Sequence, residues 1–570
     1  MLYPQRNKYR HYIDLSGFWD FRFDPNDVGI SENWTTGFEE SVPIAVPASW
    51  NDQFAENRDF LGPAWYQVKF KKAWDWDKKK IFLRFGSINY ISDIWLNGES
   101  IGHHEGGHLA FEFDVSDNIL DDNILIARVD GRLAEDHVPP KGRVLGNYPE
   151  TNYDFYPFCG IHRPVLLYAI PNGGIKDVTV ITSIKEALGI LDIKLETFGI
   201  IGATTRYSIM GFETELIKEF KIENEVQDIT LEVKKARFWD PNNPNLYNLN
   251  IEIIKNNLIL DSYSLRIGIR TIEVKGDELL LNGKPIYLKG FGRHEDFPIT
   301  GRGYVPAVII KDYSLMEWIG ANSFRTSHYP YSEQMMDIAD KLGFLIIDEI
   351  PAVGLTFNRT VIEREFELCS QYIQELIARD KNHPSVIMWS LANEPHSSVK
   401  SKEFFKNLYV LTRRLDKSRP ITIVNMMGVR EKAFEFCEVL CINRYYGWYL
   451  QPGNIDEACK SLSEEMDKLY ERYHKPILLS EFGADTIPGC HSQPPEMFSE
   501  EYQAEFIEKY IDVCRNKPYV IGEHVWNLCD FKTSQGITRM GAMNYKGVFT
   551  RDRKPKMAAH LLRKLWKEKD

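Results

Sequence analysis

From about residue 273 the chain repeats one rhythm, an apolar run followed by a turn and an amphipathic segment. Eight runs rich in β-branched and bulky residues stand out, at 286–289, 323–326, 344–348, 386–392, 421–424, 439–443, 477–480 and 520–525. Such runs predict strands buried on both faces, as in a parallel sheet. Segments with a helical period lie between them, for example at 307–319, 371–380, 402–415 and 501–515. Eight strand-helix units in some 300 residues predict a (β/α)8 TIM barrel. Two of the runs end in a way that a purely structural strand has no reason to. Val386-Ile387-Met388-Trp389-Ser390-Leu391-Ala392 is followed by Asn393-Glu394-Pro395, and Ile477-Leu478-Leu479-Ser480 by Glu481. A carboxylate at the end of a buried strand costs free energy unless it is paired or used.

The first 270 residues have a different texture. Gly17-Phe18-Trp19-Asp20-Phe21-Arg22-Phe23 alternates, as do Trp65-Tyr66-Gln67-Val68-Lys69-Phe70 and Ile124-Leu125-Ile126-Ala127-Arg128-Val129. Asn97-Gly98 behind Ile94-Trp95-Leu96 predicts a tight hairpin turn. Many short strands over residues 1–180 predict a β jelly roll, a sugar-binding-like domain. Residues 181–272 continue with alternating strands, fitting an immunoglobulin-like β-sandwich without a cluster of catalytic residue types. Residues 273–570 form the barrel.

Composition narrows the functional classes. The chain has 570 residues, 43% of them hydrophobic, and a net charge of −12. Without a basic patch it does not read as a nucleic-acid binder, and no run is long enough to span a bilayer. An acidic protein does not steer an anionic ligand from afar, so an anionic substrate needs a local cation. Eight cysteines without a Cys-x-x-Cys pair predict reduced thiols, and the first residues carry no apolar core of a secretion signal. Both point to a cytoplasmic protein. No metal-ligand cluster is legible, and Gly292-x-His294-Glu295 is not the zinc-binding helix motif.

In a barrel the residues just after the strands form the active face. Here these are Arg293, His294 and Glu295, His328, Glu349, Asn393 and Glu394, Arg444 and Tyr445, Glu481, and Trp526 with Asn527. Glu394 and Glu481, ending strands 4 and 7, face each other across the mouth. Two carboxyls across a cleft suit glycosidic bond cleavage, one protonating the leaving oxygen while the other attacks or activates water.

Met388-Trp389-Ser390 before Asn393-Glu394-Pro395, and Ser480-Glu481-Phe482-Gly483, resemble glycoside hydrolase family 2. So do Arg325-Thr326-Ser327-His328-Tyr329-Pro330 and Ile347-Asp348-Glu349, and the domain order is that family's. Within it, Asn443-Arg444-Tyr445-Tyr446-Gly447-Trp448-Tyr449 and Asn544-Tyr545-Lys546-Gly547 are most similar to the β-glucuronidases. The resemblance implies a retaining exo-β-glucuronidase without cofactor or metal. Glu481 is then the nucleophile, Glu394 the acid/base, and Tyr445 a phenol that holds Glu481. Asn393 would bind the sugar 2-hydroxyl. Asp154, His294, His328, Tyr449 and Trp526 are further implied substrate contacts, and Arg325 either lowers the nucleophile's pKa or pairs with Glu349 or Asp348.

Selection of glucuronate rests on the C6 carboxylate. Asn544 and Lys546, two residues apart on an extended loop, point the same way and can grip one carboxylate, with Arg539 a second candidate cation. A neutral sugar would then leave Lys546 buried and unpaired. Only residues 350–372 separate strand 3 from the following helical segment, which is short for a lid and predicts an open mouth. The substrates implied are β-glucuronide small molecules or oligosaccharide ends, acted on by a homo-oligomer, dimer or tetramer, with no nucleic-acid or membrane partner. Other family 2 activities, on galactosides or galacturonides, and a non-catalytic carbohydrate-binding protein are the alternatives.

Overall fold

The computed structural model describes residues 2–142 and 146–567. The N-terminal sandwich packs a six-stranded sheet on a four-stranded one. The six-stranded sheet runs in the order Val42–Val46, Gly17–Phe23, Pro63–Lys71, Asp122–Asp130, Ile91–Leu96, Glu99–Glu105. Its last hairpin turns at Asn97-Gly98, both with positive φ, the geometry a two-residue turn between twisted strands requires. Alternation does the packing: Trp19, Phe21, Tyr66, Ile94 and Leu125 enter one core.

The second sandwich starts with Gly174–Lys185, a strand that runs through residue 180 and pairs with Leu188–Phe198. It has three strands facing four and its own core around Val178, Leu191, Tyr207 and Ile251.

The barrel closes from eight parallel strands: β1 (Leu288–Gly292), β2 (Ser323–Arg325), β3 (Leu345–Glu349), β4 (Val386–Asn393), β5 (Ile421–Asn425), β6 (Leu440–Asn443), β7 (Ile477–Glu481) and β8 (Val520–Val525). Every residue of β4 is buried, as its unbroken apolar run requires. The helices are α1 (Pro306–Ile319), α2 (Glu333–Leu342), α3 (Ile362–Asp380), α4 (Val399–Leu415), α5 (Ile455–Tyr473), α6 (Glu500–Arg515) and α7 (Met557–Lys567). Between β5 and β6 two 3-10 turns, Gly428–Arg430 and Ala433–Glu435, stand in place of a helix.

β1 differs from its predicted range, 286–289, by starting two residues later. Lys284–Pro285 pairs with Glu278–Leu281, and the Ile286 amide donates to Leu279. Those residues belong to a hairpin that plugs the barrel floor, where Ile272, Leu279 and Leu281 join Leu288, Ile347 and Leu478 in one apolar cluster. An apolar floor leaves the chemistry to the other end.

The N-terminal sandwich reaches that end. Tyr148 and Gln535 exchange backbone hydrogen bonds at 2.8 and 2.7 Å, the Asn152 amide donates to the Gly354 carbonyl at 2.6 Å, and the Tyr156 amide to Lys532. Arg163, buried, ties Glu295 and the Pro330 carbonyl. The segment around Asp154 is thereby held over the barrel mouth.

Candidate active site

Both glutamates lie at the C-terminal ends of their strands, Glu481 buried and Glu394 half-buried. Glu394 directly follows β4 and has φ 49°, the left-handed region that a non-glycine residue enters at a cost of about 1–3 kcal/mol. Its amide donates to Val424 of β5, which holds the turn. Asn443, the last residue of β6, donates its amide to Glu394 Oε1 at 2.9 Å and to Asn393 Oδ1 at 3.1 Å, while its own oxygen accepts from the Ser480 hydroxyl at 2.9 Å. One side chain thus fixes Glu394, its neighbouring amide Asn393 and, through Ser480, the strand that carries Glu481.

Glu481 is held from two sides. The Tyr445 hydroxyl donates to Oε2 at 2.8 Å and the Arg325 guanidinium donates to Oε1. The other arm of Arg325 reaches Glu349 Oε1 at 2.7 Å, and the Ser390 hydroxyl donates to Glu349 Oε2 at 2.7 Å. Arg325 therefore meets both of its expected roles at once, with Glu349 rather than Asp348 as its structural partner.

Burial pushes the Glu481 carboxyl up to about 8, with Arg325 opposing and the Glu394 charge adding to the rise. Burial raises Glu394 as well, against the Asn443 amide. Two such carboxyls cannot both ionise easily, so near neutrality they hold one proton between them. Donors favour the carboxylate form. Glu481 has a cation and a phenol, whereas Glu394 has one amide. Burial raises both carboxyls, and the stronger donor set on Glu481 favours its carboxylate form over that of Glu394.

The aromatic and imidazole groups form the wall beside the pair. Trp526, directly after β8, stacks on His328 at 5.0 Å and meets His294 edge-on at 5.4 Å. His294 contacts Tyr329 through Nδ1 at 3.1 Å, and its buried Nε2 has no hydrogen-bond partner among the described residues. Burial holds it well below the usual imidazole range, so the ring is neutral. His328 has less freedom: Nδ1 lies 3.0 Å from Glu349 and Nε2 3.7 Å from Glu481. Burial pushes its pKa down to about 4. It lies between the Glu349 and Glu481 carboxylates. Other members of the polar rim are structural, since Arg293 pairs with Asp312 of α1 and Arg444 with Glu465 of α5.

The third cluster gathers Asp154, Tyr449, Arg539, Asn544 and Lys546. Arg539 makes a bidentate pair with Asp154 (2.7 and 2.5 Å) and donates to the Tyr449 hydroxyl at 2.8 Å. Asn544, on a short strand paired with Phe531–Lys532, donates to Asp154 at 2.8 Å and accepts the Lys546 amide at 3.0 Å. Lys546 donates to the Tyr449 hydroxyl at 2.8 Å and pairs with Asp485. The rings of Tyr445, Trp448 and Tyr449 surround its ammonium at 4.7–5.7 Å. This corrects one expectation: Lys546 is not left unpaired in the absence of an acid sugar, because Asp485 already neutralises it. Asp154 likewise presents its carboxylate to Arg539 and Asn544 rather than to an open pocket. Asn443 and Asp485 were not singled out as site residues in the sequence. The only signal they offered was position, on a strand end and four residues past Glu481.

Away from this face, Asp337, Asp340 and His383 bring donor atoms within 4.8 Å of one another. Asp340 is already bonded to His383 at 2.6 Å and to the Ser385 amide, and Asp337 to Arg266. The group is an ion-pair knot rather than an open ligand set.

Models of the glycosyl hydrolases family 2 match the chain in three consecutive parts: the sugar-binding domain over 13–171, the central domain over 174–270 and the TIM barrel domain over 272–569. A β-glucuronidase from Paenibacillus borealis is 39% identical over all of this chain and 99% of its own. The crystal structure of Ruminococcus gnavus β-glucuronidase superposes with a TM-score of 0.95 at 38% identity, covering 100% of this chain and 99% of that one. The same bacterial enzyme in complex with D-glucaro-d-lactam gives 0.94 at 38%, with 99% of each chain covered. Sequence, domain order and site geometry agree: the chain belongs to glycosyl hydrolase family 2.

Proposed function

We propose that the protein is a retaining exo-β-glucuronidase, releasing glucuronate and an alcohol from β-D-glucuronides. The observation that carries this reading is the placement of Arg539, Lys546 and Asn544, three donors to an anion whose two charges are held in place by Asp154 and Asp485, beside the Glu394–Glu481 pair. Glu394 gives its proton to the glycosidic oxygen while a Glu481 oxygen bonds to C1, breaking the C1–O bond and forming a glycosyl ester. Glu394, now a carboxylate, takes a proton from water; that water's oxygen bonds to C1 and the ester electrons return to Glu481. The two inversions sum to retention. Asn393 and His294 are assigned to sugar hydroxyls, Trp526 to the ring face, and His328 to the support of Glu481. Tyr449 and Arg539 assist Lys546 and Asn544 at the C6 carboxylate.

The decisive experiment follows matched 4-nitrophenyl β-glucuronide, β-galacturonide and β-galactoside, with proton NMR of the glucuronide reaction. The expected result is preference for the glucuronide with β-glucuronate appearing first. A faster galactoside or galacturonide, or an α anomer first, would refute the assignment. Because α3 begins at Ile362, only residues 350–361 follow β3 before the helix. This supports an open mouth and large aglycones, a reading that fails if small aryl glucuronides outperform glucuronide-capped oligosaccharides.

We assign the enzyme to the cytoplasm as a homo-oligomer. The first is supported by eight free cysteines, and by the absence, among the described residues, of any helix long and apolar enough to cross a membrane. The second is supported by the family likeness, and sedimentation of the purified protein tests it.

A further inference from the structure

We propose that Asp485 is a resident stand-in for the substrate carboxylate, the counterion that aims Lys546 in the empty pocket and sets how sharply the site separates acid from neutral sugars. The inference rests on the reading of Lys546 as the contact of the C6 carboxylate.

Asp485 is tied at both oxygens. Oδ1 accepts the backbone amide of Tyr545 at 2.8 Å, inside the Asn544–Lys546 loop, and Oδ2 pairs with the Lys546 ammonium, with Arg539 Nη1 at 3.6 Å. The side chains of Asp485 and Lys546 are 6% and 1% exposed. Burial raises the Asp485 carboxyl, but Lys546 and Arg539 outweigh it and hold the group below the usual carboxylate range. The backbone around the pair has little room to adjust. A Cβ on Gly483 would lie 2.1 Å from the Trp526 carbonyl, and one on Gly547 2.1 Å from the Asp530 amide. Both ends of the ion pair are therefore anchored by glycines pressed against neighbouring backbone.

The charge count follows. Arg539 and Lys546 are balanced by Asp154 and Asp485, so the pocket that receives an anion is itself neutral. An arriving carboxylate meets Lys546 across from a like charge, and a neutral sugar leaves no ammonium unpartnered. Asp485 thus moderates both the attraction to acid sugars and the penalty on neutral ones.

Uronic deoxynojirimycin and deoxynojirimycin share a ring and differ at C6, which makes them the probes. Their binding is measured by calorimetry at low ionic strength on the wild type, Asp485→Asn and Lys546→Met. Asparagine keeps the acceptor for Tyr545 and removes the charge. Asp485→Asn should tighten the acid ligand about tenfold relative to the neutral one. A ratio that stays or falls, including equal losses for both ligands, would make Asp485 a structural residue and overturn the inference. Lys546→Met should weaken the acid ligand alone. If it leaves the ratio unchanged, the carboxylate contact itself is wrong, and the role of Asp485 falls with it. Should Asp485→Asn not fold, Asp485→Asn/Lys546→Met should fold, because no ammonium is then left without a partner; failure of both variants overturns the inference.

Discussion

Asn443 is the point at which the acid can be perturbed without touching either glutamate. Among the described residues its amide is the one side-chain hydrogen-bond donor to Glu394, at 2.9 Å, and after burial it has the largest effect on that carboxyl. A hydrogen bond to a charged group is worth about 1.5–3 kcal/mol. The donor stabilises the carboxylate, so Asn443→Ala destabilises it and raises the Glu394 pKa, by about one to two pH units at 1.36 kcal/mol per unit. The alkaline limb of kcat/KM reports loss of the proton from the acid and should move up by that amount. The same substitution leaves Asn393 and Ser480 without their partners at 3.1 and 2.9 Å. For glucuronides with poor leaving groups, kcat/KM at the optimum should therefore fall about ten- to hundredfold. The assay is a pH series with two aryl glucuronides of different leaving-group acidity; the more acidic phenol needs less protonation and should lose less. An alkaline limb that stays in place or moves down would refute the assignment of the proton to Glu394.

Tyr445→Phe removes the 2.8 Å donor to Glu481. The acid limb of kcat/KM should move up by about one to two units, and an unmoved limb in the same pH series counts against the phenol's role. Arg325→Ala leaves Glu349 and Glu481 buried without their cation, so urea unfolding should show a loss of about 3–5 kcal/mol. His383, paired with Asp340, has its pKa raised to about 9 because Asp340 outweighs burial. That pair stabilises the fold fully below about pH 6.5 and loses its effect as pH rises through about 9. The stability gap between wild type and His383→Gln should be about 3 kcal/mol at pH 6 and close to zero near pH 10, read by chemical denaturation at both.

The amino-acid sequence by itself determined the barrel strands and the two glutamates at their ends. Buried parallel strands announce themselves as continuous apolar runs, and a polar residue that ends such a run must lie at the strand's edge. β2 to β8 accordingly lie where the runs predict. β1 does not, because whether Ile286 joins the barrel or the floor hairpin depends on a cross-strand partner, Leu279, and not on its own neighbours. The same distinction separates what was legible in the site from what was not. Glu394 and Glu481 were legible one at a time. The partnerships that decide their protonation, Asn443 with Glu394 and Arg325 between Glu349 and Glu481, join different strands and have no spacing to read. The cluster proposed to select the sugar is more remote still: Asp154 and Arg539 meet across 385 positions, and only the docking of the N-terminal sandwich on the barrel brings them together. Lys546 could be named from its motif, but its charge balance could not, because the carboxylate that neutralises it arrives on a different strand's loop. Local pattern records burial, and burial is enough to find an ionisable group that must have a purpose. Which partner satisfies that group is a matter of distance in space, and only the tertiary structure decides it.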